Sequence, residues 1–281
     1  MRTFDVHLHV QPWEMIRPAV LALIDDQGHR DARSILSSPE TLLRWMDQEE
    51  IDRACCINYV SPDVMGFTAE ANDWIASFTK DHRERLLPVG SVHPKTTPDL
   101  LSETRRILDL GIRMIKIHPP HQLFAANAYR SDLPALAEVY GLCEQRRIPV
   151  MFHTGTSIFP GARNVFADPM PIDDVAVDFP SLPIVLAHAG RPLYGNTAFF
   201  LVRRHRNISI DLSGIPPQRL GEHVPRLDEI ATRALWGTDW PSPGVTSPKA
   251  NRDAFLALGF ADEINRRVLG ANAASLFDRM A

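Results

Sequence analysis

The chain has 281 residues, 44% of them hydrophobic and 23% charged, with a formal net charge of −4. That balance is ordinary for a globular protein, and the lack of any run of Lys and Arg excludes nucleic acid as the main partner. No stretch of about 18 apolar residues exists to span a bilayer, and the polar opening MRTFDVHLHV does not read as a secretory leader, so a cytoplasmic protein is expected.

Short apolar runs alternate with segments of helical periodicity along the chain. The first run, residues 3–9, ends on His7 and His9. Ser38-Pro39-Glu40 then supplies a cap and an N-terminal proline ahead of Leu42, Leu43 and Met46, so a helix is predicted there. The second run, 53–60, contains Cys55 and Cys56 and leads into a helical stretch at 65–82. With Cys143 these make an odd set of three, which reads as reduced core filler rather than a disulfide or a thiolate zinc site. After the third run, 86–92, Thr97-Pro98-Asp99 opens a helix carrying Leu100, Leu101, Ile107 and Leu108, closed by Gly111. The fourth run is 112–118, with a helix at 131–146; the fifth and sixth are 149–155 and 183–190. Helical periodicity at 197–205 precedes the seventh run, 208–214, and a helix at 218–231 precedes the eighth, 234–240. Helices at 251–258, 262–269 and 272–280 complete the chain.

The runs are Leu-rich or β-branched throughout, as parallel strands covered on both faces are. Eight strand-then-helix units predict a (β/α)8 TIM barrel as one domain over residues 1–281 with a C-terminal helical tail. A doubly wound open sheet is the alternative, but no glycine-rich phosphate loop follows the first run. Proline-rich stretches at 159–171 and 241–248 follow the fifth and eighth strands, where loops of this fold carry function.

His7 and His9 end the first run, His153 the fifth, His188 the sixth and Asp239 the eighth. All five fall at the C-terminal ends of strands, the catalytic face of this fold. Two residues apart on a strand, His7 and His9 point their rings the same way, and paired imidazoles suit a transition metal such as zinc. Alone the pair is a weak signal; the other strand-end groups strengthen it, because burying so many polar side chains without partners is costly.

The pieces Asp5-Val-His7-Leu-His9, Gly111-Ile-Arg-Met-Ile-Lys116-Ile-His118-Pro, Val150-Met-Phe-His153-Thr-Gly155, Ile184-Val-Leu-Ala-His188-Ala-Gly190 and Gly237-Thr-Asp239-Trp-Pro241 span the chain in order. As a set they resemble the amidohydrolase superfamily, and within it amidohydrolase family 2, which includes decarboxylases of aromatic and related acids. The resemblance implies that His7, His9, His153 and Asp239 hold one divalent ion, zinc with manganese as the alternative, leaving a position open for an activated water. Asp239 would act as general base and then acid, and His188 would hydrogen-bond the substrate or that water. In a decarboxylase the ion would grip the substrate's oxygens, and Asp239 would protonate the carbon that loses CO2. Superfamily members with two metals carry a carboxylated lysine near the position of Lys116. One metal is common in this branch, so Lys116 is expected to pair with a carboxylate, either Asp5 or the substrate's.

Other residues keep two readings each. His118 and His121 touch the substrate or are solvated loop histidines. Arg191 forks onto a substrate carboxylate or pairs with a loop acid, and Arg163 is a weaker candidate for the same task. Trp13 walls the pocket or packs in the core. Asp211, and Asp5 from deeper in the barrel, would hold a ligand histidine by its second nitrogen.

The expected function is a metal-dependent hydrolase of a small amide, ester or lactone. The alternative is a non-oxidative decarboxylase of a small aromatic carboxylic acid, or a hydratase, using the same site. The chain's compactness against the decarboxylases of this branch favours hydrolysis. A barrel kept only for binding, or a metal-free hydrolase, would have no reason to hold all five residues. The partner is a small molecule, and the resemblance implies a homodimer.

Overall fold

Strands form where apolar side chains can be buried on both faces, and a computed structural model, describing residues 2–26, 31–242 and 244–278, places one in each of the predicted runs. They are β1 (Phe4–His9), β2 (Arg53–Ile57), β3 (Leu86–Gly90), β4 (Met114–Ile117), β5 (Val150–His153), β6 (Ile184–Ala187), β7 (Ile208–Asp211) and β8 (Ala234–Leu235). All pair in parallel, in sequence order. The ring closes through backbone hydrogen bonds between β1 and the segment after β8. Val6 N–H donates to Trp236 O at 3.1 Å, Asp239 N–H to His7 O at 2.7 Å and His9 N–H to Trp240 O at 2.8 Å. The fold is a TIM barrel with helices on its outside and at its C-terminal end.

Alternation along the strands divides the core in two. Cys55, Leu87, Met114, Met151, Val185 and Leu235 share the cluster that fills the barrel. Their neighbours Cys56, Leu86, Ile115, Val150 and Ile184 share a second cluster with Ile107, Leu136 and Val139 of the surrounding helices. All three cysteines are buried and unpaired, as core filler requires.

The strands are shorter than the apolar runs, mostly at their C-terminal ends. There the backbone leaves the ladder to aim side chains: His188, Ala189 and Asp239 all take positive φ, at 63°, 50° and 66°. Helices differ in similar detail. The stretch at 65–82 is helical only over Glu70–Thr79, because Ser61 and Phe67 first form an antiparallel bridge. Pro225 splits the helix expected at 218–231 into Leu220–His223 and Leu227–Ile230. The helix opened by Ser38 begins as predicted, with Ser38 Oγ accepting from Thr41 N–H at 3.2 Å. The next predicted opening, Thr97-Pro98-Asp99, starts later, at Leu100, with Asp99 rather than Thr97 as its cap and Asp99 Oδ1 accepting from Ser102 N–H at 2.9 Å. The tail runs as Asp262–Arg266, a π-turn at Arg267–Ala271 and Asn272–Phe277, and the predicted end at 279–280 lies outside the described residues. Helices at Pro18–Asp26 and Ile172–Asp178 were not predicted. Among the described residues, no helix is long and apolar enough to cross a membrane.

The π-turn presses Gly270 against β1, where an added Cβ would sit 2.4 Å from Arg2 O. Gly270→Ala should therefore lower stability by about 1–3 kcal/mol, the usual cost of overpacking against backbone. Urea unfolding measures it; an unchanged midpoint would show that the turn yields freely.

Candidate metal centre

The site begins with an irregularity in β1. Asp5 pairs with Ala54 but Leu8 with Cys56, so β1 holds one residue more than β2 between these points. The extra residue changes the phase of alternation. Val6 joins the interior cluster and Leu8 the outer one, while His7 and His9 line the cavity at the barrel's C-terminal mouth. Strict alternation would have set Asp5 on the same face as the two histidines. Instead its carboxylate accepts from His7 N–H at 2.9 Å, Thr238 N–H at 3.0 Å and Thr238 Oγ1–H at 2.6 Å. Burial pushes the Asp5 carboxyl up to about 6, against the pull of those hydrogen bonds. Asp5 thus holds the His7 backbone and Thr238 in place rather than a ligand ring, and of the two partners expected for Lys116, Asp5 or a substrate carboxylate, it is engaged elsewhere.

His7 Nδ1 lies 2.6 Å from Asp211 Oδ2 and 3.1 Å from Ser213 Oγ. With its Nδ1 proton given to Asp211, His7 turns the lone pair of Nε2 to the cavity, 3.4 Å from Asp239 Oδ1. His9 Nε2 is 3.0 Å from that same oxygen. His188 Nδ1 meets Ser213 Oγ at 2.9 Å, and this hydroxyl also donates to Asp211 Oδ2 at 2.7 Å. A Cβ at Gly237 would fall 2.6 Å from Asp211 Oδ1 and 2.8 Å from His7 Cβ, so only glycine lets the segment after β8 approach this closely.

His153 stacks on His118, with ring centroids 3.8 Å apart, and His118 on His121 at 3.7 Å. His121 is satisfied at both nitrogens, by Tyr59 Oη at 3.0 Å and Ser157 Oγ at 2.6 Å. His153 Nε2 and His118 Nδ1 are buried with no hydrogen-bond partner among the described residues. Burial first, and neighbouring positive groups second, hold His7, His118, His153 and His188 well below the usual imidazole range. These rings are therefore neutral, which ligation requires.

Lys116 is fully buried, with Nζ 3.5 Å from both His7 Nε2 and Met151 Sδ. Burial lowers its ammonium to about 8, opposed by the charges of Asp211 and Asp239. Burial would raise Asp239, but the hydrogen bond from His9 and, behind it, the Arg191 guanidinium hold it down to about 2. Arg191 Nη2 is 3.8 Å from Asp239 Oδ2. The guanidinium lies over Gly214, where a Cβ would come within 2.4 Å of it.

His7, His9, Lys116, His118, His153, His188, Arg191 and Asp239 line one cavity of about 240 Å³. Tyr59, His121, Ser157 and Phe159 join them, none of which except His121 the sequence had singled out. Trp13 is not among the lining residues: its ring packs on the core beneath the Arg33 guanidinium, 5.7 Å from the centroid. Arg163 is exposed and also outside the cavity. Asp211 stands behind His7, as a residue orienting a ligand does.

The donor set fits a divalent transition metal. Ligand atoms of His7, His9 and Asp239 lie within 4.8 Å of one another, as do those of His7, His188 and Asp211. His153 belongs to neither trio, but its buried, unpartnered Nε2 on the same cavity is the kind of atom that calls for a ligand. Imidazole nitrogens with one carboxylate suit zinc or manganese.

Comparison with known proteins places the chain in a family and a fold. The protein-family model described as Amidohydrolase, that of amidohydrolase family 2, matches residues 4–279. No curated protein matches the chain. An uncharacterised TIM-barrel protein from Bordetella bronchiseptica superposes with a TM-score of 0.78 at 23% identity, covering 100% of this chain and 99% of that one. A 5-carboxyvanillate decarboxylase from Novosphingobium aromaticivorans, solved with bound manganese, superposes at 0.66 and 16% identity over 99% and 97%. A 4-oxalomesaconate hydratase from Rhodopseudomonas palustris superposes at 0.63 and 15% over 99% and 96%. The match over nearly the whole length shows that the chain belongs to the amidohydrolase family, in its family 2.

Proposed function

We propose that the protein is a metal-dependent hydrolase of a small amide, ester or lactone, with His7, His9, His153 and Asp239 holding one divalent ion, zinc or else manganese. The observation that carries this reading is the convergence of those four side chains on one cavity in which His153 Nε2 has no partner among the described residues. When bound, the ion supplies Lewis acidity at the cavity floor. Asp239 is the general base: its carboxylate faces the cavity, takes the proton of the attacking water and returns it to the leaving group. His188, held at Nδ1 by Ser213, keeps its other nitrogen for a substrate oxygen. Arg191 lines the mouth and attracts an anionic substrate group. Lys116, buried and uncarboxylated, supports the charge of Asp239 and Asp211 from below.

Decarboxylation of an aromatic acid is the second reading, favoured by one feature. The stacked rings of His153, His118 and His121, with Tyr59 and Phe159 beside them, line the cavity with aromatic groups against which the edge or face of a further ring can pack next to Arg191. In that reaction Asp239 would deliver a proton to carbon. The decarboxylase fold relative with manganese keeps this reading in view.

Metal content tests the centre. Wild type should carry about one equivalent of zinc or manganese by elemental mass spectrometry, and His153→Ala close to none. Two equivalents would move Lys116 to a carboxylated bridge, and none after growth with added metal would sink the ligand set. Ser213→Ala should keep the fold and weaken metal affinity by roughly 10–100-fold, because both His7 and His188 lose an orienting hydroxyl; unchanged affinity would make that hydroxyl a packing feature only. A panel of lactones, esters, amides and aromatic acids, followed by chromatography of the products and by CO2 release, separates the two reactions. Formation of the free acid, with its alcohol or amine where the substrate is not cyclic, assigns hydrolysis, and CO2 release assigns decarboxylation. In either case Asp239→Asn should cut kcat by about 10²–10⁴-fold.

A further inference from the structure

A second cavity, of about 590 Å³, opens at the opposite end of the barrel. Pro183, Asn207 and Arg233, which line it, directly precede β6, β7 and β8, so it sits at the N-terminal ends of these strands. It is more than twice the size of the catalytic cavity, at about 240 Å³.

Its charge is one-sided. Five arginines line it, Arg147, Arg206, Arg233, Arg266 and Arg267, against one carboxylate, Glu144. Glu144 Oε1 is already taken by Ser181 N–H at 2.7 Å. Arg266 and Arg267 share Glu263, which is not a lining residue, and Arg233 donates to His205 O. Arg147 and Arg206 form no ion pair with any described carboxylate, although most other surface arginines of this chain do. Arg147 also holds φ at 55° just after the helix Ala135–Gln145, a position where glycine is the unstrained choice. Hydroxyls of Ser209, Thr232 and Ser275 line the same space and make no hydrogen bond among the described residues. Asn207 and Asn272 are occupied, each giving its amide protons to two backbone carbonyls.

Gathered guanidiniums and spare hydroxyls are the donors that bind tetrahedral oxyanions, since the guanidinium fork fits them in pairs. The volume is that of a small-molecule site. We propose that this cavity binds a small phosphate-bearing polyanion, held chiefly by Arg147 and Arg206, independently of the metal centre.

The test is calorimetric titration of the full chain with inorganic pyrophosphate at low ionic strength. Wild type and His153→Ala should each show one saturable site, because the second protein lacks the catalytic ion but keeps the basic cavity. The double variant Arg147→Gln/Arg206→Gln should lose affinity by about tenfold or more, with metal content and circular dichroism unchanged. Binding lost in His153→Ala but kept in the double variant would place the anion at the metal centre and overturn the proposal. So would the absence of saturable binding at millimolar concentration. Citrate bound in preference to pyrophosphate would overturn the phosphate assignment.

Discussion

The site is assembled on the carboxylate of Asp5. Three protons converge on it, from His7 N–H and from the backbone and side chain of Thr238. Those two residues flank the seam where the barrel closes, and no β8–β1 ladder of the usual kind spans it: β8 is two residues long. The carboxylate supplies what the ladder lacks. It fixes the segment carrying Asp239 against the strand carrying His7 and His9, and so sets the separation of the groups that must meet. A buried acid with three donors is stable in that place because removing any donor leaves a desolvated oxygen behind.

Above this joint the polar groups are arranged in order of depth. Asp211 and Ser213, on and just after β7, take the Nδ1 atoms of His7 and His188, so two rings are oriented by one strand end. Lys116 stands beneath them as a buried cation, and Arg191 over Asp239 as a half-exposed one. The hydrogen bond from His9, with Arg191 behind it, keeps Asp239 ionised in spite of its burial. The imidazoles stay neutral for the opposite reason, since burial and positive neighbours act on them in the same direction. One electrostatic arrangement thus prepares both an anionic oxygen and neutral nitrogens.

Much of this was legible in the sequence because barrel geometry turns position along a strand into position in space. His7 and His9, His153, His188 and Asp239 fall at the ends of four apolar runs, and in a parallel barrel such ends converge. What stayed hidden depends on neighbours far apart in sequence. The role of Ser213 requires the end of β7 to reach His188 after the neighbouring β6 and His7 on β1, two strands away past β8. The joint that Asp5 makes was hidden because period-two counting cannot see an added residue in a ladder, and the two readings of Trp13 stayed open because nearness in sequence to a ligand pair says nothing of the side on which a turn packs. The helix Ile172–Asp178 does bury Ile172, Val175 and Ala176 at helical spacing, but it is short and follows a proline-rich stretch that reads as loop. The basic cavity escaped for a related reason. Its arginines are dispersed between positions 147 and 267, so the absence of a basic run ruled out a charged tract without ruling out a charged hollow.

The supernumerary residue of β1 has a consequence for how this gene can vary. Losing one codon within that strand would regularise its pairing with β2, an improvement by the standards of a sheet. It would also shift by one place the side chains on one side of the lost residue, separating the two histidines from the joint that sets their distance to Asp239. Folding and chemistry therefore favour opposite lengths for this segment. Lineages in which the reaction is no longer needed would be free to drop the codon, and an even ladder at β1 would mark a barrel that has outlived its catalysis.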